Sequence, residues 1–193
     1  MRALTYVVAT TLLSTVVSTT QAAPINYQLD PTHTFVVLSR QNYGFSNPIV
    51  VAVIDNGVLI FDDKDPSKSS VQVTLPIAKL ETFVPQLNKE FQSPMFFDVD
   101  KFPIAIYTST QVRSVGGGKY TIIGDLTVHG VTKPVVLHAT LNKVGENPMT
   151  KKQAIGFDAT GSLKRSDFGM SFNIPNVSDE IALRITSQGD AVK

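Results

Sequence analysis

The chain is predicted to fold as an all-β domain built from antiparallel strands. Apolar residues recur with a period of two along most of it, turn-forming residues interrupt these runs at short intervals, and no long amphipathic helix separates them. Parallel βαβ units are therefore not expected. Strands in hairpin succession leave two architectures open, a sandwich or an up-and-down barrel.

The first segment stands outside this pattern. Arg2 gives a short positive start, residues 3–17 are apolar or hydroxylic without a charge, and Thr20-Gln21-Ala22 places small residues where a signal peptidase reads. That is the form of a secretory signal, with removal expected after Ala22 or one residue later. The apolar run is too short and too rich in Thr and Ser for a membrane span of about 20 residues. Residues 23–193 then form one domain, and no later segment is apolar enough to cross a bilayer as a helix. Without Arg2 the 17 basic residues become 16, against 16 acidic ones. A neutral chain with scattered charges gives no electrostatic case for nucleic acid. The absence of Cys excludes disulfides, Cys-based metal sites and Cys nucleophiles.

Within the domain, Val71, Val73 and Leu75 alternate with Gln72 and Thr74. Leu126 and Val128 alternate with Thr127 and His129, and Ile181, Leu183 and Ile185 with Ala182 and Arg184. Each pattern has one wet and one dry face. Residues 35–38 and 49–54 are apolar on both faces. Asp55-Asn56-Gly57 is expected to make a tight hairpin between two apolar strands. Gly116-Gly117-Gly118 suits a second hairpin loop, and residues 129–134 separate two more strands. Residues 62–70, with Pro66, and 146–148 read as loops. Residues 77–97 break the alternation. Leu80, Phe83, Val84, Leu87, Phe91 and Met95 recur every three or four residues, cut by Pro76, Pro85 and Pro94, so one or two short helical turns are expected.

Several segments together carry a resemblance. The most specific is Gly124-Asp125-Leu126-Thr127-Val128-His129-Gly130-Val131-Thr132-Lys133-Pro134-Val135, followed by Arg165-Ser166-Asp167-Phe168-Gly169-Met170. Leu29-Asp30-Pro31-Thr32-His33, Phe96-Phe97-Asp98, Lys101-Phe102-Pro103, Ser109-Thr110 and Ser178-Asp179-Glu180-Ile181 support them. In order and spacing the chain resembles the YceI-like periplasmic proteins, lipocalin-like barrels that bind polyisoprenoids. The resemblance implies an eight-stranded antiparallel barrel with the short helical segment near one mouth. It also implies a non-catalytic periplasmic carrier, with secretion as the second choice of location. The ligand would be an isoprenoid or other long amphiphile, such as an isoprenoid quinone or a polyprenyl chain, and no other cofactor is implied. The chain departs from the family where Asn42 and Glu90 stand in place of commonly found histidines, and where Val50-Val51-Ala52 replaces a Gly-x-Phe.

Strand parity on that barrel nominates Val36, Leu38, Phe61, Leu75, Tyr107, Leu126, Val128, Phe157 and Leu183 as lining residues, with Phe91, Phe168 and Met170 lining or gating a mouth. For any one of them taken alone, ordinary core is the favoured reading. Arg40 shares the face of Val36 and Leu38, so it points into the bore or out of its mouth and is a candidate headgroup contact. Arg165 suits an oxyanion, but a pair with Asp167 or Glu180 that pins the loop before Phe168 is the favoured reading. Two rival functions remain. A metal-dependent enzyme would use His129 and His138, nine apart across a turn, with Asp125, although no HxH or HExxH spacing supports it. A ligand-free structural or stress barrel would have a solid core, and the apolar run 49–54 would serve a homodimer. No Gly-x-Ser-x-Gly or phosphate loop occurs.

Overall fold

The computed structural model describes residues 23–192; the expected signal segment lies outside the described residues. Ten strands follow one another: β1 (Ile25–Leu29), β2 (Phe35–Ser39), β3 (Ile49–Val53), β4 (Asn56–Phe61), β5 (Ser70–Pro76), β6 (Ile104–Gly116), β7 (Lys119–Val128), β8 (Val131–Glu146), β9 (Gln153–Lys164) and β10 (Glu180–Ala191). One helix, α1 (Pro85–Gln92), and 3-10 turns at Pro66–Lys68, Ile77–Lys79 and Arg165–Phe168 interrupt them. The expected helical turns in residues 77–97 are thus found, and α1 begins with its proline at the first turn, where a missing N–H costs nothing.

The strands close on themselves, because β10 pairs with β9 on one edge and with β1 and β2 on the other. β1 and β2 lie end to end along β10, and their partners β4 and β3 lie end to end beside them. Each couple therefore acts as one broken stave. Counted this way, the structure is a closed eight-stranded antiparallel barrel, and the sandwich alternative falls away.

The broken stave corrects one expectation. Asp55-Asn56-Gly57 does not form a hairpin: β3 and β4 never pair with each other, and the Asp55 amide donates to the Thr74 carbonyl of β5 instead. Gly57 is there for close approach, since a Cβ would meet Leu29 Cδ1 at 2.8 Å. Only β4 continues the ladder to β5; β3 is joined on that side by a single bridge, in which Val51 and Glu81 exchange both backbone hydrogen bonds. The other turns fall in the expected places, although the one expected over residues 129–134 shrinks to His129-Gly130, because residues 131–134 already belong to β8. β6 and β7 meet through Gly116–Gly118, and β7 and β8 through His129 (φ 52°) and Gly130 (φ 72°), the two positive angles that a tight primed turn needs.

Candidate functional site

Alternation along the closed staves sends one set of side chains inward, and they do not fill the space. The bore encloses a cavity of about 360 Å³. That lies within the range of small-molecule sites and well above an ordinary packing defect. A solid core, the expectation for a ligand-free barrel, is not what the interior shows.

Twelve of the thirteen nominated residues line this cavity: Val36, Leu38, Arg40, Phe61, Leu75, Phe91, Tyr107, Leu126, Val128, Phe157, Met170 and Leu183. The ambiguous strand β2 is resolved by them, with Val36 and Leu38 facing in. Phe168 is the exception. It is 1% exposed and packs behind the wall, while its carbonyl lies 3.0 Å from His129 Nδ1. A 3-10 turn over Arg165–Phe168 rolls that ring into the core beside β8 rather than toward the bore.

The floor is aromatic. Phe61, Tyr120 and Phe157 meet edge to face with centroids 5.7–5.9 Å apart. Higher up, Tyr107 lies along the wall over Gly124, where a Cβ would come within 2.5 Å of the ring. Its hydroxyl donates to the Val135 carbonyl at 3.4 Å, and burial raises the phenol's pKa far above its usual value, so it stays protonated.

The mouth is built by the loops between β2 and β3, β5 and β6, and β9 and β10. Phe91 of α1 packs against Phe96 and Phe97, and Phe96 against Phe172. Asn88 ties α1 down, its Oδ1 accepting from the Thr82 amide and hydroxyl. Arg40 lies over the Phe91 ring, 5.4 Å from its centroid. Arg165 does pin its loop, but through backbone rather than a carboxylate. Its guanidinium donates to the carbonyls of Met170, Phe172, Val177 and Ser178 at 2.8–2.9 Å. The expected Arg165–Asp167 and Arg165–Glu180 pairs do not form, because the loop curls its carbonyls around the planar fork first. The nearby Asp179 accepts from the Ser166 amide and hydroxyl. Burial pushes its carboxyl up, but those two bonds together with the charges of Arg165 and Lys164 hold it below the usual range.

The histidines are not brought together. His129 sits in the turn with its ring against Phe102, at 4.9 Å, while His138 points outward from β8, roughly 24 Å of strand farther along. Both lie on one hairpin arm instead of on facing strands, so the proposed pair with Asp125 does not assemble. His129 bonds the carbonyl of Phe168, distant in sequence. His33 contacts the Asp30 carboxylate at 2.6 Å on the surface.

The family model for the YceI-like domain matches residues 27–188. The chain belongs to the YceI-like family. A UPF0312 protein of Photorhabdus laumondii is 36% identical over 170 residues, covering 87% of this chain and 88% of its own. Protein YceI of Salmonella arizonae is 36% identical over 181 residues, covering 93% and 94%. Among solved structures, the Campylobacter jejuni YceI protein superposes with a TM-score of 0.63 at 31% identity, over 75% of this chain and 81% of that one. Two more distant structures share the fold. BcnA of Burkholderia cenocepacia has a TM-score of 0.71 at 21% identity, covering 83% and 98%. A polyisoprenoid-binding domain from Saccharophagus degradans has 0.65 at 13%, covering 87% and 99%.

The YceI-like signature segments now have a physical account. Phe102, His129 and Phe168 interlock at one corner of the mouth, Arg165 holds the adjoining loop, and Gly124 makes room for Tyr107. They build the frame of the cavity. Asn42 and Glu90, the departures from the YceI-like pattern, lie outside the cavity wall. Sequence reasoning passed over Tyr120 and Ile122, which share the parity of Leu126 and Val128 on β7 and also line the bore. It also missed Phe172 and Val177, which lie in a loop with no period to betray them.

Proposed function

We propose that this protein is a periplasmic, non-catalytic carrier that holds an isoprenoid or similar long apolar chain inside its barrel. The hollow, apolar bore is the observation that carries this reading. Burial of a chain gives roughly 0.8 kcal/mol per methylene-sized group, so ten groups bring about 8 kcal/mol before ordering costs. Among the described residues that line the bore, none is a histidine, aspartate or glutamate, so the acid–base groups of a hydrolytic site are not presented there. Family membership and the shared fold of the polyisoprenoid-binding domain from Saccharophagus degradans support the choice of ligand class. The signal-like residues 1–22 support export, and no helix among the described residues is long and apolar enough to cross a membrane.

Native mass spectrometry of the mature protein tests the proposal. A co-purifying lipid of isoprenoid or acyl mass, or stoichiometric uptake of an added prenyl lipid, is the expected result. Bare protein that takes up neither prenyl nor acyl lipid overturns it.

A further inference from the structure

The bore is apolar nearly throughout, yet two cations reach it, both at the mouth: Arg40 and Arg165. They differ in how their charge is met. Arg165 has five N–H groups and spends four on the carbonyls of Met170, Phe172, Val177 and Ser178. It is fixed in place; burial makes its charged form less favourable than usual, and the nearby Asp179 offsets part of that cost.

Arg40 has no such arrangement. It follows β2 with the inward parity of Val36 and Leu38, and its side chain is half-buried. Among the described residues no carboxylate lies within ion-pair distance of its guanidinium and no acceptor takes its side-chain N–H groups; its neighbour is the face of Phe91. No acid lines the cavity to compensate it. Burial, and then the positive charge of Arg165, make its protonated form less favourable than usual. A partly desolvated, unpaired guanidinium is costly, and an oxyanion that accepts its forked donors removes that cost. A neutral head would leave the charge unmet.

We infer that the bore selects amphiphiles with an oxyanion head, a phosphate or a carboxylate, whose tail fills the cavity while the head rests on Arg40 at the mouth, beside the fixed charge of Arg165. This rests on the lipid-carrier reading and narrows it. A prenyl phosphate or a fatty acid fits this chemistry, and a prenyl alcohol or a quinone does not satisfy it.

Calorimetric titration of the delipidated mature protein decides the matter, with geranylgeranyl phosphate, geranylgeraniol, palmitate, hexadecanol and inorganic phosphate as separate probes. At least one charged amphiphile is expected to bind about tenfold or more tightly than its own alcohol, a ratio equivalent to 1.4 kcal/mol. In Arg40→Gln that advantage should shrink to threefold or less, and in Arg40→Lys most of it should remain. Equal affinity of wild-type protein for acid and alcohol overturns the headgroup inference while leaving the carrier reading intact; this comparison needs no variant and so survives any folding defect. Failure of all four amphiphiles to bind overturns the carrier reading itself. Inorganic phosphate binding as tightly as geranylgeranyl phosphate marks a plain anion site and also overturns the inference.

Discussion

The two ends of the barrel are made differently from similar material. At the floor, Phe61, Tyr120 and Phe157 close the bore edge to face, backed by the buried Tyr27, Val112 and Ile155. The connections there are the tight Gly116–Gly118 turn and the longer segments 62–69 and 147–152. At the mouth, Phe91, Phe96, Phe97 and Phe172 also gather, but on a helix and long loops, with Arg40 among them. Tyr43, Phe45 and Phe172 are more than half exposed there. Aromatic rings on paired strands are held by the ladder and serve as packing. The same rings on loops depend on local hydrogen bonds, which leaves them free to meet a ligand. On the proposed carrier reading, stability is concentrated at one end and recognition at the other.

The strongest way to break this contrast is to remove the floor. Phe61→Ala deletes a ring that contacts both Tyr120 and Phe157. A loss of about 3 kcal/mol is expected, the low end for Phe→Ala in a core because the cavity already thins its packing. Urea unfolding measures it. A cost below about 1 kcal/mol would mean the floor is not a stability element.

At the mouth, Arg165→Ala should cost less overall, about 2 kcal/mol, because water can reach some of the four carbonyls it releases. Its effect should be local. Limited proteolysis is expected to cut first between β9 and β10, which Phe61→Ala should not provoke. Arg165→Lys should restore little of this protection, since an ammonium cannot reach four carbonyls in one plane. Proteolysis at the floor turns before the mouth loop would reverse the assignment of the two ends.

The floor was more legible in the sequence than the mouth loops, although Tyr120 was missed there. Phe61 and Phe157 follow from strand parity, because a period of two ties a side chain to a face wherever the ladder is regular. Parity says nothing about filling, so the hollow bore could not be read from it. It also fails in the run 49–54, where an apolar sequence on both faces hid a broken stave and made the following Asp55-Asn56-Gly57 look like a hairpin. Arg40 was legible because a charge on an inward face conflicts with its neighbours. Arg165 was half legible: its pinning role followed from its setting, but the accepting carbonyls of Met170, Phe172, Val177 and Ser178 leave no mark in residue type. Phe172 left none either. Loops carry no period, and their contacts depend on a fold already formed.

Between the two ends, at the break where β1 gives way to β2, the smallest effect is expected. There the Asp30 carboxylate accepts from the Thr32 hydroxyl at 2.7 Å and the Thr32 amide at 2.8 Å and contacts His33 at 2.6 Å. The Thr32 hydroxyl first, and then His33, hold its pKa below the ordinary 3.8. A carboxyl depressed in the folded state adds stability that is fully present above its unfolded pKa and disappears as pH falls through the folded one. Asp30→Asn removes the charge but keeps an acceptor for Thr32. It should therefore lower Tm slightly at neutral pH, and the gap from wild type should close as the solution is acidified below 3.8. Because the site is exposed, screening keeps the effect small, and added salt should reduce it further. A gap that persisted unchanged in acid would show that Asp30 acts through the geometry of the break and not through its charge, and would make this turn a third structural region rather than a joint between the other two.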